Sequence, residues 1–189
     1  MVTIRKEMPF DLDARDDLLD RVWGLSRFQK TAERLREGRE PSTGLSFVAE
    51  HDGNVVGTVR LWDVCAGPGR PAVLLGPLAV HDAQRCRGIG GALMRRAMAT
   101  ARRLKHRAVL LVGDAAYYGR FGFSAEQTGA LWLPGPYERD RLLGCELVPG
   151  ALDGARGLIG AAGRLTPAPS LGVLIAGLGH GAASARHAA

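Results

Sequence analysis

Cysteine is scarce in this chain: three residues in 189, Cys65, Cys86 and Cys145, with no CxxC pair among them. An odd, scattered set builds neither a disulfide framework nor a zinc site, and it fits a reducing cytoplasm. Long apolar runs are missing too. The longest strongly apolar stretch near the C-terminus, LGVLIAGL at Leu171–Leu178, is far too short to span a bilayer. The opening MVTIRKEMPFDLDARDD carries too much charge for a signal peptide. Aromatic residues make up only 6% of the chain, thin support for a nucleic-acid-binding surface. These absences set the expectation of a cytoplasmic protein with no membrane partner and no metal.

The balance that is present suits an ordinary globular domain, 46% hydrophobic and 23% charged. Its length fits one domain with a proper core. The formal net charge is +6, which favours an anionic ligand without choosing among nucleic acid, a membrane surface and a phosphorylated cofactor.

Periodicity and turn chemistry predict the elements. Val2–Glu7 alternates and reads as a strand. Asp11 and Asp13 start an amphipathic helix over Ala14–Trp23, and a second short helix is expected over Phe28–Arg36. Leu45–Glu50 and Asn54–Trp62 flank Asp52-Gly53, a hairpin signal. Cys65–Pro71 reads as a loop. Ala72–Val80, AVLLGPLAV, is a buried strand with a fault at Gly76-Pro77, so it is expected to splay or bulge towards its end. A helix follows from Ile89 to about Lys105. Ile89, Leu93, Ala97 and Ala101 form its apolar face with Met94 and Met98, and Arg95, Arg96, Arg102 and Arg103 its basic one. Ala108–Val112 is another buried strand, and Asp114 caps a short helix ending by Gly122. Ala130–Leu133 and Leu142–Val148 read as two last strands joined across the Pro-Gly-Pro turn at 134–136. The order mixes hairpins with crossovers, so the fold class is α/β: a mixed sheet with helices on its faces. Residues 1–149 form the domain. Residues 150–189, rich in Ala and Gly, form a C-terminal extension of low order or docked.

The stretch AQRCRGIGGALM, 83–94, places Gly88, Gly90 and Gly91 at the start of a helix with Arg85 and Arg87 beside them. A helix N-terminus is a ready anion site, and glycine lets a phosphate approach its backbone. A Walker loop would need Lys and then Ser or Thr after the last glycine, where Ala92-Leu93 stands. A dinucleotide fingerprint would need a third glycine at Leu93. A phosphate cradle and a plain strand-to-helix turn both stay open on these residues alone.

Arg85-Cys86-Arg87-Gly88-Ile89-Gly90 matches (Q/R)-x-x-G-x-(G/A), and Tyr118-Gly119-Arg120-Phe121-Gly122-Phe123 matches Y-x-x-x-G-F. Both motifs, with the element order over Val2–Val148, resemble the GNAT superfamily of acetyl-CoA-dependent N-acetyltransferases. GDAAYYGRFGF resembles one bacterial branch of it. The resemblance implies a central, mostly antiparallel sheet splayed at the cofactor site. It implies acetyl-CoA as co-substrate, with Leu78, Ala79 and Val80 pairing with its pantetheine arm. Arg85, Cys86, Arg87, Gly88, Ile89, Gly90, Gly91 and Ala92 would hold its pyrophosphate, and Tyr118 would be the general acid. The acceptor is then a primary amine of a small molecule or peptide, and a homodimer is compatible with the reading. Tyr117 is read as core or acceptor-pocket wall and Cys86 as incidental. The acceptor pocket is expected among the N-terminal helices, the loop at Trp62–Pro71 and the segment around Trp132.

The general base stays open. AVLLGPLAV contains no acid, and Glu50, His51, Asp63, Asp114 or a water chain could serve, while His81 and Asp82 read as turn residues. Two other functions remain. One is a non-catalytic acyl-CoA-binding sensor, suggested by the missing strand carboxylate. The other is a basic nucleic-acid-binding protein, suggested by the dense charge from Arg95 to Arg107.

Overall fold

The computed structural model describes residues 1–167. Among these, eight strands form one sheet system: β1 Val2–Lys6, β2 Ser46–His51, β3 Asn54–Ala66, β4 Pro71–Val80, β5 Ala108–Val112, β6 Leu131–Trp132, β7 Leu142–Glu146 and β8 Gly157–Ala161. The helices are α1 Leu12–Trp23, α2 Ile89–Arg103 and α3 Ala115–Tyr118. The main path runs β1-β2-β3-β4-β5-β7, antiparallel except for the β4–β5 pair. This is the mixed sheet that the element order predicts, and it is mostly antiparallel as the resemblance implies.

Side-chain alternation divides the interior into two layers. On one face, Val109 and Leu111 of β5 and Val73 of β4 pack with Ile89, Leu93 and Ala97 of α2. On the other, Ala108 and Leu110 pack with Leu74, Leu35 and Leu131. The ends of β4 follow the same alternation. Leu78 and Val80 join the α2 layer, while Ala79 meets Leu18 and Leu19 of α1. Helix α1 and the segment after it therefore cover the face opposite α2.

Turn chemistry is realised where it is local. Asp52 and Gly53 both take positive φ, 50° and 76°, as a two-residue hairpin turn requires. Expectations fail where distant contacts intervene. The single helix over Phe28–Arg36 is instead two 3-10 turns, Leu25–Gln29 and Thr31–Leu35, broken at an extended Lys30. Thr31 Oγ1 donates to the Pro136 carbonyl and Arg34 to the Pro134 carbonyl, the latter at 2.7 Å. These anchors replace the ladder that a continuous helix would form. The loop expected over Cys65–Pro71 shrinks, because β3 runs on to Ala66 and β4 begins at Pro71.

β6 and β7 do not pair across the Pro-Gly-Pro turn. β6 runs parallel to β8, and β7 pairs with β5. After Pro149 the chain stays with the sheet: Glu146 accepts hydrogen bonds from the backbone N–H of Gly150 (2.8 Å) and Leu152 (2.6 Å). Ala151, Leu152 and Ile159 are buried in the second layer, and β8 pairs with the end of β3. Residues 168–189 of the Ala/Gly-rich segment, including the apolar run Leu171–Leu178, lie outside the described residues.

Candidate active site

The site begins with a fault in β4. Val59 pairs with Leu78 and Leu61 with Leu75, so Gly76 and Pro77 together face only Arg60 on β3. Two residues against one make a bulge. Pro77 has no N–H to donate, and Trp62 Nε1–H donates to the Gly76 carbonyl at 2.8 Å, fixing the bulge from the neighbouring strand. β4 pairs with β5 only at Val73↔Val109 and Leu74↔Leu110. Beyond Leu74 its β5-facing edge has no strand partner among the described residues.

A cavity of about 870 Å³ occupies this gap. The volume suits a sizeable ligand. Gly76–Val80 line it from β4, Arg85, Gly90, Tyr117 and Tyr118 from the α2 layer. Lys30, Arg36, Leu133, Tyr137 and Arg141 line it from segments that cover the other layer or its margin. The cavity thus reaches both layers through the opening between β4 and β5.

At the α2 end, Gly88 is the N-cap with φ 76°, a conformation that glycine adopts freely. Cys86, two residues earlier, has φ 62°. Such left-handed residues build the backbone concavities that bind anions. Gly90 approaches Tyr117 so closely that a Cβ there would lie 2.9 Å from the tyrosine hydroxyl. Of the residues expected at the cofactor, Leu78, Ala79, Val80, Arg85 and Gly90 line the cavity. Cys86, Arg87, Gly88, Gly91 and Ala92 form the adjoining loop and first turn, and the Ile89 side chain is buried in the core. Arg85 pairs with Asp82 at 2.8 Å, and Arg87 donates to Gln84 Oε1 at 2.8 Å.

Tyr118 stands at the C-terminus of α3, in the cavity wall. Its ring meets Tyr117 edge-on, centroids 4.8 Å apart, and Phe123 at 6.1 Å. It lies against Gly113, where a Cβ would run into the ring. Burial pushes its phenol up to about 12, with the Tyr117 and Asp114 charges adding and Arg141 opposing. A buried phenol of this kind keeps its proton at any physiological pH.

Among the acids weighed for a general base, only Asp114 lines the cavity. Its Oδ1 is engaged by the Ala116 N–H at 2.8 Å and the Tyr117 N–H at 3.4 Å, so it caps α3. Asp114→Ala should cost about 1 kcal/mol of stability, while Asp114→Asn, a comparable cap, should cost little. Urea unfolding of the two variants checks this. Glu50 is bound to Arg5 at 2.8 Å, His51 to Asp52 at 2.9 Å, and Asp63 sits beside Gly163; none lines the cavity. His81 accepts from the Ala83 N–H at 3.2 Å, as a turn residue does.

Sequence reasoning missed the charged groups of the second layer. Glu33, Lys30, Arg36, Glu138 and Arg141 all line the cavity, and Glu33 pairs with Arg36 at 3.2 Å. The Glu33-to-Arg36 spacing suggests a local pair, but nothing local shows that it faces a cavity shared with residues a hundred positions on. Trp62 and Trp132 do not line it: Trp62 is buried at the bulge, and Trp132 is exposed under Arg139. Among the described residues no cluster of His, Cys, Asp and Glu could hold a metal ion, and no helix is long and apolar enough to cross a membrane.

Known proteins resemble this chain in sequence and fold. Residues 42–125 match the acetyltransferase (GNAT) domain. The chain is 30% identical over 157 residues to the uncharacterised N-acetyltransferase YhbS of Escherichia coli K12, covering 82% of this chain and 93% of YhbS. The crystal structure of Escherichia coli YhbS in complex with CoA superposes with a TM-score of 0.73, at 30% identity, covering 85% of this chain and 89% of that one. A GNAT family acetyltransferase from Brucella melitensis in complex with acetyl-CoA superposes with a TM-score of 0.57, also at 30% identity, covering 76% and 94%.

Proposed function

Because the chain belongs to the GNAT family of acetyltransferases, we propose that it transfers an acetyl group from acetyl-CoA to a primary amine of a small molecule or peptide in the cytoplasm, by direct attack in a ternary complex. The observation that carries this reading is the single cavity that joins the α2 N-terminus, the free edge of β4 and Tyr118, and then continues to the other layer of the sheet. Two ligands can enter such a passage from opposite ends and meet beside Tyr118. No covalent enzyme intermediate is needed, and Cys86 lies outside the cavity wall.

The residues fit the cofactor. The α2 N-terminus offers unsatisfied N–H groups and a partial positive charge for a pyrophosphate, and Arg85 adds a full charge. The partnerless edge at Leu78–Val80 offers backbone groups to an amide-bearing arm. When bound, acetyl-CoA supplies an activated thioester. Tyr118 holds the proton that the leaving thiolate must receive, and the proton shed by the acylated nitrogen returns through water to the tyrosinate. The second layer holds and orients the amine.

Binding is tested first. Acetyl-CoA at about a hundred times its dissociation constant should stabilise the protein by roughly 2.7 kcal/mol, or about 5–10 °C in melting temperature for a domain of this size. No shift at millimolar acetyl-CoA would refute the cofactor assignment. A shift without CoA release to any amine would favour a binding domain over an enzyme.

The proton on Tyr118 sets a pH profile. The acceptor must be neutral to attack, and the acid must be protonated. Since Tyr118 is pushed up to about 12, raising the pH frees the amine long before it costs the acid its proton. With the acceptor saturating, kcat should rise through neutrality and show no descending limb below about pH 10. A descending limb centred near pH 8 or 9 would remove Tyr118 from this role.

A further inference from the structure

We propose that the acceptor is an anionic amine, one that carries a carboxylate or phosphate close to its nucleophilic nitrogen, and that Lys30 and Arg141 hold that oxyanion. The inference rests on the acetyl-transfer reading and adds a substrate class to it.

Arg141 ends a 3-10 turn immediately before β7, which lies beyond β5 from β4. Its carbonyl accepts from the Gly113 N–H at 2.8 Å, and its guanidinium bears on the titration of Tyr118. Arg141 therefore reaches the cavity beside Tyr118. Lys30 arrives from the break between the two 3-10 turns, a segment fastened through Thr31 to the Pro136 carbonyl. Burial, with the Arg141 and Arg36 charges near it, pushes the Lys30 ammonium down. Three cations from two segments of the sequence thus line the passage.

Their own partners neutralise them only in part. Arg36 is buried and has Glu33 at 3.2 Å. Arg141 has only Glu138 at 3.4 Å, a carboxylate 77% exposed, and exposed pairs contribute little. Lys30 makes no ion pair among the described residues, and its ammonium rests over the Trp23 ring at 3.9 Å. Lys30 and Arg141 thus stand in the cavity wall with little of their charge answered, and a ligand oxyanion would answer it. The cofactor end has its own cationic groups in Arg85 and the α2 N-terminus, so the second cluster is left for the acceptor. A polycationic amine would meet repulsion there.

The test measures CoA release from acetyl-CoA against a matched panel. Amino acids carry the carboxylate, phosphoethanolamine the phosphate; amino acid amides, ethanolamine and spermidine carry neither. We expect kcat/KM at least tenfold higher for an oxyanion-bearing amine than for its neutral counterpart, and whichever arm wins identifies the anion. Lys30→Gln and Arg141→Gln, both at accessible positions, should each raise KM for that amine about tenfold, the loss expected for a charge-assisted contact. They should leave KM for the neutral amine and for acetyl-CoA within a few-fold. Equal or better use of amides or spermidine would overturn the proposal while acetyl transfer itself stands. So would a panel in which no oxyanion-bearing amine is either acetylated or able to raise the melting temperature of the CoA-saturated protein. Failure of acetyl-CoA to stabilise the protein would instead strike the underlying reading, and the proposal with it.

Discussion

Replacing Tyr118 with phenylalanine is expected to lower kcat by about 10²–10⁴-fold, the usual worth of a positioned general acid. The substitution removes one oxygen and keeps the ring. Contacts with Tyr117 and Phe123 persist, and so does the fit against Gly113. Folding stability should therefore change little, and KM for acetyl-CoA should stay within a few-fold. Stopped assays of CoA release across the pH range, with a thermal melt of the same preparation, separate these effects. Wild-type turnover in Tyr118→Phe would leave the tyrosine a packing role only.

Gly113→Ala is expected to cost nearly as much turnover, by displacing the tyrosine rather than by removing a reacting group. Gly113 closes β5 and precedes the Asp114 cap, and its N–H is tied to the Arg141 carbonyl at 2.8 Å. A Cβ there runs into the Tyr118 ring and lies 3.2 Å from Leu111 Cδ1. With the backbone held on one side and the buried Leu111 on the other, the tyrosine ring is the part that can yield. Turning it outward carries the hydroxyl away from the reacting sulfur. Overpacking should also cost about 1–3 kcal/mol of stability. If both substitutions act through the same hydroxyl, the double variant Gly113→Ala/Tyr118→Phe should be barely slower than Tyr118→Phe alone. Fully multiplicative losses would show that Gly113 acts by another route, and wild-type turnover in Gly113→Ala would show that the ring need not stay where it is.

Each element and side chain behind these predictions has a different standing in the sequence. β5 occupies Ala108–Val112 as its unbroken apolar run predicts, because a strand buried on both faces needs apolar residues at every position. The apolar face of α2 is buried as its spacing demands. Gly76-Pro77 predicts a fault, and the bulge is there. The Asp114 cap follows from a short polar side chain ahead of a helical turn. All of these are written in residues a few positions apart.

The partners of the strands and the lining of the cavity in the second layer are not written that way. Nothing within ALWL says that it will lie parallel to Gly157–Ala161 rather than fold back on Leu142–Glu146. Nothing near Lys30 says that it will share a cavity with Arg141, because the two meet only after the 3-10 segment is fastened to the Pro-Gly-Pro turn. The sequence by itself determined where most strands and helices lie, the glycine- and arginine-rich loop ahead of α2 and the tyrosine beyond β5. Only the tertiary structure decided that β4 and β5 part after one short pairing, that the opening reaches both layers of the sheet, and that its far end is cationic. Periodicity, caps and turns are settled by neighbours along the chain. A cavity and its charge are settled by which distant surfaces bury one another, and packing reveals that only when the whole chain is in place.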